Sequence, residues 1–208
     1  MSAVAGNGTV TDGEEMKTYW RYHPKPQACD KCQAMKGLWF EKKPGPVHPN
    51  CKCEIEEFKA IKVTGRSEAM IVPPDVDIAA NIAEARRVAK ECEAKAQKIT
   101  ALSSGHYAEK QIAFLLKCWW IYDKFQSGAD YDFKKGGTHP EYEDFGNYHY
   151  GLYTKAMGIN VTLAQAAAGA WQLKQGTSEW TNPEFIKNWF DDPRDNRRIR
   201  EGQQYPLD

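Results

Sequence analysis

Downstream of Pro73-Pro74, which interrupts the chain, apolar residues recur at helical spacing. Ile78, Ile82, Val88, Ala89, Cys92 and Ile99 form one stripe, which predicts a helix from a cap at Asp75 or Asp77 to about Leu102. The opposite face carries Glu84, Arg86, Arg87, Lys90, Glu91, Glu93 and Lys95 and reads as solvated. Ser103-Ser104-Gly105 ends it. A second helix, about Tyr107 to Phe125, is richer in apolar residues through Ile112, Phe114, Leu115, Leu116, Trp119 and Ile121, and is expected to be the core helix. Upstream of the prolines, Lys59 to Val72 reads as a short strand or loop.

Gly128 to Gly151 differs in kind. Its glycines, Pro140 and Asn147 break the periodicity and predict a long ordered loop, dense in titratable and aromatic side chains. Helical spacing returns at about Leu152 to Met157, Thr162 to Lys174 and Pro183 to Phe190, the last capped by Asn182. Asp191-Asp192-Pro193-Arg194-Asp195 opens a final helical turn ending near Gly202. The expected fold is therefore mainly α: a helical domain with long ordered loops over 107–208, a connecting helix over 73–106, and a small N-terminal module with short strands over 1–72.

Composition adds exclusions. The 208 residues are 41% hydrophobic and 27% charged, as in soluble globular proteins, and 28 basic residues balance 28 acidic ones, which argues against a general polyanion binder. No apolar run is long enough to span a membrane, and Met1 to Glu15 lacks the charged-then-apolar order of a Sec signal. Any export would use a machine that does not read such a signal.

Of six cysteines, four cluster with a histidine: Cys29-Asp-Lys-Cys32, then His48-Pro-Asn-Cys51-Lys-Cys53. A Cys-x-x-Cys turn offers two thiolates to one tetrahedral ion, and the returning segment offers two more donors. Five candidates serve four places. The four cysteines are the favoured set, with His48 beside them or replacing one, around a structural Zn2+. Two disulfides are the rival reading, disfavoured without a secretion signal. A redox Cys-x-x-Cys would need a βαβ setting, whereas prolines and basic residues surround this one. Cys92 and Cys118 fall in helical patterns and read as small buried hydrophobes.

The stretch Ala28 to Gly37 followed by Pro46-Val-His48-Pro-Asn-Cys51-Lys-Cys53 resembles the cysteine-rich end of Mu F-type phage minor head proteins, over about thirty residues. That likeness implies a module reused by phage and phage-like secretion systems. A longer resemblance covers roughly Ala108 to Gly202. Tyr131-Asp132-Phe133-Lys134, Glu143-Asp144-Phe145-Gly146-Asn147-Tyr148-His149-Tyr150-Gly151, Ala168-Gly169-Ala170-Trp171-Gln172 and Asp191-Asp192-Pro193-Arg194-Asp195 follow in an order similar to the polymorphic toxin type 44 domain. The family more often has tryptophan where Tyr131 stands and a polar residue where Phe190 stands. The resemblance implies a secreted antibacterial effector toxin of interbacterial competition, a secretion-system component that delivers it, and a cognate immunity protein.

The substrate is a matter for residue chemistry. From Ser103 onward twelve Lys or Arg face fourteen Asp or Glu, and nineteen of the twenty-five aromatic residues lie there. A nuclease normally needs positive charge for phosphates. Aromatic faces beside carboxylates suit a glycan, and also suit an ordinary core. Glycan hydrolysis needs one protonated and one ionised carboxyl. Glu143, between Tyr142 and Phe145, is the expected acid, with Asp132 or Asp144 as partner. Tyr131, Asn147, Tyr148, Tyr150, Asp192 and Asp195 are expected to bind substrate, while helix capping is an equal account of the two aspartates.

An alternative is a metal-independent RNase in which His139 and His149 exchange protons while Lys134 or Arg198 stabilises the phosphorane. A metal-dependent hydrolase using the same histidines ranks lower, and a non-enzymatic phage-like adaptor is the reading of another class. Hydrolysis of peptidoglycan in the target periplasm stands slightly ahead of RNA cleavage in the target cytoplasm, on charge and aromatic content.

Overall fold

Tyr19-Trp20-Arg21-Tyr22 is rich in residues that fit a pleated surface, and it lies within a strand, β1 (Met16–His23). The computed structural model describes residues 16–62, 69–103, 108–176, 178 and 181–207. It divides into two units, Met1–Pro74 and Asp75–Asp208. In the first, a short helix α1 (Asp30–Gln33) and strands β2 (Trp39–Phe40), β3 (Glu54–Lys62) and β4 (Ala69–Val72) follow β1, and the four strands form an antiparallel sheet ordered β2-β1-β3-β4. Tyr19 pairs with Phe58 across β1 and β3, and the Trp39 ring meets Phe58 edge-on at 4.8 Å. These rings, with Ala60, make a small core. The Lys59 to Val72 stretch, read as one short strand or loop, instead contributes the end of β3 and all of β4.

The second unit is helical: α2 (Ile78–Leu102), α3 (Glu109–Phe125), α4 (Glu143–Ala156), α5 (Val161–Gln175), α6 (Pro183–Lys187) and α7 (Pro193–Gln204). Asp77 caps α2 by accepting from the Ala80 N–H at 2.9 Å. Ile78, Ile82, Val88, Ala89 and Cys92 are buried as the stripe predicts, joined by Ala85 and Ala96, whereas Ile99 is exposed. The helix expected as a connector packs on α3 and α4 within this unit. Mainly helical architecture with a small stranded N-terminal part is thus observed.

Three expectations need correction. The apolar helix α3 is not the central one: Leu115 and Trp119 stand in solvent, and its buried positions are Ala113, Lys117 and Ile121. Nor does the loop extend to Gly151, because α4 begins at Glu143. Phe145, Tyr148, His149, Leu152 and Tyr153 follow the i, i+3, i+4, i+7, i+8 spacing of a helix and are all fully buried, so α4 is the core helix. Gly146, Asn147 and Gly151 obscured that stripe. Finally, α6 stops at Lys187, and Trp189 and Phe190 take left-handed φ of 61° and 67°. The final turn, by contrast, is a full helix of 12 residues, α7, with Asp192 as cap and Pro193 in the first turn.

Candidate metal centre and candidate active-site cleft

Cys29 is the residue before α1 and Cys32 lies inside it, so the i, i+3 spacing brings both thiols to one side. His48 and Cys51 close a turn, the Cys51 N–H donating to the His48 carbonyl at 2.9 Å, and Cys53 leads into β3. The two segments meet at the buried Cys32. His48 Nε2 lies 3.2 Å from Cys32 Sγ and 3.4 Å from Cys29 Sγ, while Cys51 Sγ lies 3.7 Å from Cys32 Sγ. For a tetrahedral ion with ~2.3 Å bonds to sulfur and ~2.0 Å bonds to nitrogen, the edges are roughly 3.8 Å S···S and roughly 3.5 Å S···N.

Cys29, Cys32 and His48, and likewise Cys32, Cys51 and Cys53, are mutually close enough to hold a metal ion. All six cysteines are free thiols. Cys51 is drawn down to about 7, first by the Cys53 backbone N–H, whereas its hydrogen bond to Cys53 and burial push Cys32 up. Protons are unevenly held among crowded sulfurs, and a bound cation would release them.

In the second unit a cleft of about 710 Å3 opens between α3 and α5, walled by α4, α7 and the 131–134 loop. Tyr131, Asp132, Lys134, Glu143, Asn147, Tyr150 and Asp195, all expected site residues, line it. Lys134 Nζ donates to Glu143 Oε1 at 3.0 Å. Glu143 sits in this ion pair with a third of its side chain exposed, not in the desolvated niche its aromatic neighbours suggested. Asp132 organises the loop instead of standing free: its Oδ2 accepts from the Gly128 and Gly136 N–H groups at 2.8 and 3.0 Å. Tyr131 donates to Glu84 Oε2 at 2.5 Å, and Tyr150 to the Ala164 carbonyl at 3.1 Å, fixing two cleft walls. Glu84 therefore serves the interior rather than a solvated face.

Two carboxyls of the cleft, Asp195 and Asp191, have a raised proton affinity. Partial burial, then the neighbouring Glu143 and Asp192 charges, raise Asp195 to about 6. Asp191, 1% exposed in the cleft wall, is raised to about 7 by burial and by Asp195. Gln172 Nε2 donates to Asp195 Oδ2 at 3.3 Å. The turn carrying these aspartates is held by a close approach: a Cβ on Gly169 of α5 would fall 1.6 Å from the Trp189 carbonyl oxygen. Only glycine admits that contact, and the consecutive left-handed residues Trp189 and Phe190 bend the chain to bring Asp191 to the wall.

Other expected residues lie elsewhere. His149 is fully buried between Phe125, Tyr131, Phe133 and Phe145, hydrogen-bonds Asn81 through Nε2 at 2.9 Å, and burial lowers it to about 3. It is a neutral core group. His139 pairs with Glu141 at 3.1 Å and stacks near Tyr142, outside the cleft lining, so the two histidines do not form an acid/base pair at the cleft. Tyr148 is fully buried. Asp144 is bound by Arg194 at 2.7 Å and by the buried Arg198 at 2.9 Å, and Arg198 also holds Glu201 at 2.9 Å. Asp192 caps α7 through the Arg194 N–H at 2.8 Å, as the capping account expected.

Residue reasoning passed over Asp191, Gln172, Trp171, Phe133 and Tyr142 as cleft residues. A signal existed for four of them, since Phe133, Trp171-Gln172 and Asp191 lie in the quoted motifs and those motifs converge on one cleft. No protein-family model, curated protein or solved structure matches this chain. Among the described residues no helix is long and apolar enough to cross a membrane.

Proposed function

We propose that this protein is an antibacterial effector whose helical unit hydrolyses the glycan strands of peptidoglycan. The observation that carries the reading is the juxtaposition, on the wall of an aromatic cleft, of the Asp195 carboxyl, raised to about 6, with the Glu143 carboxylate paired to Lys134. Glycosidic cleavage requires one carboxyl to protonate the leaving oxygen and an ionised partner to assist water or the developing positive charge. Asp195 supplies the proton and Glu143 the ionised partner, a reassignment of the roles the sequence suggested. Lys134 pairs with the Glu143 carboxylate, and Gln172 donates to Asp195. Buried His149 and cleft-external His139 speak against the RNase alternative.

The thiol and imidazole donors of the N-terminal unit fit zinc better than an oxygen-seeking ion. In this reading zinc is structural there. Delivery is by a secretion-system component without a Sec signal, the site of action is the target periplasm, and a cognate immunity protein guards the producer.

The test compares toxicity of the wild-type chain, Glu143→Gln and Asp195→Asn when expressed in the cytoplasm and when directed to the periplasm. Periplasm-restricted killing lost in both variants, with release of reducing ends from purified peptidoglycan, is expected. Killing confined to the cytoplasm, or undiminished in both variants, overturns the proposal.

A further inference from the structure

The cleft does not end at its carboxyl pair. Tyr122, Trp171 and Lys174 form part of its lining. The Tyr122 ring on α3 meets the Trp171 ring on α5 edge-on at 5.4 Å, and Trp119, one turn back along α3, lies 6.2 Å from Tyr122. Trp119 is 71% exposed. An indole held in water forgoes much of the burial free energy that a core position would give it. The Lys174 ammonium lies over the Trp171 ring at 4.9 Å and over the Tyr122 ring at 5.1 Å. Its Nζ also donates to the Tyr122 hydroxyl at 3.4 Å.

Aromatic faces in an open row accept the C–H faces of pyranose rings, and an ammonium already held over those rings is placed to pair with an anionic substituent. The row is continuous with the cleft, so one extended chain can occupy both. We propose that Trp119, Tyr122, Trp171 and Lys174 form an accessory subsite that grips a carboxylate-bearing sugar of a long glycan strand beyond the sugars at Glu143 and Asp195. The naming of the ligand rests on the glycan reading above. The subsite adds contacts to those at the carboxyl pair, so a strand that fills both is held more tightly than a fragment that fills the carboxyl pair alone.

The full chain is titrated with soluble uncleaved peptidoglycan strands, with a peptidoglycan tetrasaccharide, and with single-stranded poly(A). In the Trp119→Ala, Trp171→Ala double variant, and separately in Lys174→Gln, affinity for long strands is expected to fall at least about tenfold more than affinity for the tetrasaccharide. Reducing the strand carboxylates to alcohols abolishes the Lys174 effect. Equal losses on long and short ligands, absence of strand binding by the wild type, or preferential poly(A) binding through the same residues overturns the inference. Because Trp119 and Lys174 are exposed, Trp119→Ala alone and Lys174→Gln test the idea without risk to the fold. Length-selective binding without release of reducing ends removes the hydrolase reading alone, and hydrolysis indifferent to these substitutions removes the subsite alone.

Discussion

Gly202 of α7 lies so close to Tyr148 of α4 that a Cβ on it would fall 1.9 Å from the Tyr148 carbonyl oxygen. The contact is reciprocated, for a Cβ on Gly151 would fall 2.0 Å from the Ile199 carbonyl oxygen. The two helices therefore cross backbone against backbone, and no rotamer change relieves an added methyl. Gly202→Ala and Gly151→Ala are each expected to destabilise the helical unit by more than about 2 kcal/mol, read as a lowered urea midpoint. The same substitution at Gly146, whose Cβ would meet nothing within 4 Å, is expected to be tolerated.

Adjacent acidic residues at the start of α4 have opposite duties. Asp144 shares the buried Arg198 with Glu201, so Asp144→Asn removes one of its two carboxylate partners and is expected to cost about 1.5–3 kcal/mol of stability, the range for a hydrogen bond to a charged group. Glu143 makes a half-exposed pair with Lys134, and Glu143→Gln is expected to shift stability by under about 1 kcal/mol while abolishing hydrolysis. Thermal melts beside reducing-end assays separate the two.

Under the proposed glycan hydrolysis, with Asp195 as proton donor, the rate is expected to fall as pH rises through about 6, where Asp195 loses its proton. Asp195→Asn should remove that pH dependence together with most of the rate. A pH–rate profile on purified peptidoglycan gives the answer.

Two buried groups tilt stability in opposite directions with pH. His149 titrates at about 3 in the native state against ~6.5 unfolded, so its contribution is present above ~6.5 and is lost as pH falls toward 3. Asp191 titrates at about 7 against ~3.9 unfolded, so its contribution is present below ~3.9 and is lost as pH rises through 7. Each changes the slope by at most about 1.4 kcal/mol per pH unit. Between pH 4 and 6.5 the two slopes oppose each other, so in urea midpoints across that range His149→Gln should leave stability falling as pH rises, and Asp191→Asn should leave it rising.

Cys32 belongs to both ligand groups, so its loss breaks both, whereas loss of Cys29 or of Cys53 leaves one group whole. Purified protein is expected to carry one zinc by elemental analysis. Cys32→Ser should lose it, while Cys29→Ser or Cys53→Ser alone should retain it with weakened affinity. Chelation should lower the melting temperature of the N-terminal unit.

The sequence by itself determined the features that depend on local spacing. Cys-x-x-Cys and His-x-x-Cys turns present their donors through contacts only a few residues long, and the Asp77 and Asp192 caps act within one turn. The α2 stripe was legible for the same reason. Tertiary structure decided everything that depends on an approach between distant segments. The burial of α4 follows from its glycine contacts with α7, which a periodicity count scores as breaks. Likewise, Gly169 draws the Trp189 turn inward, and only then do Asp191 and Asp195 stand in a cleft where burial and mutual charge raise their proton affinity. Desolvation is a property of the surroundings, so the order of residues marked the carboxyls, but the fold decided which one holds the proton.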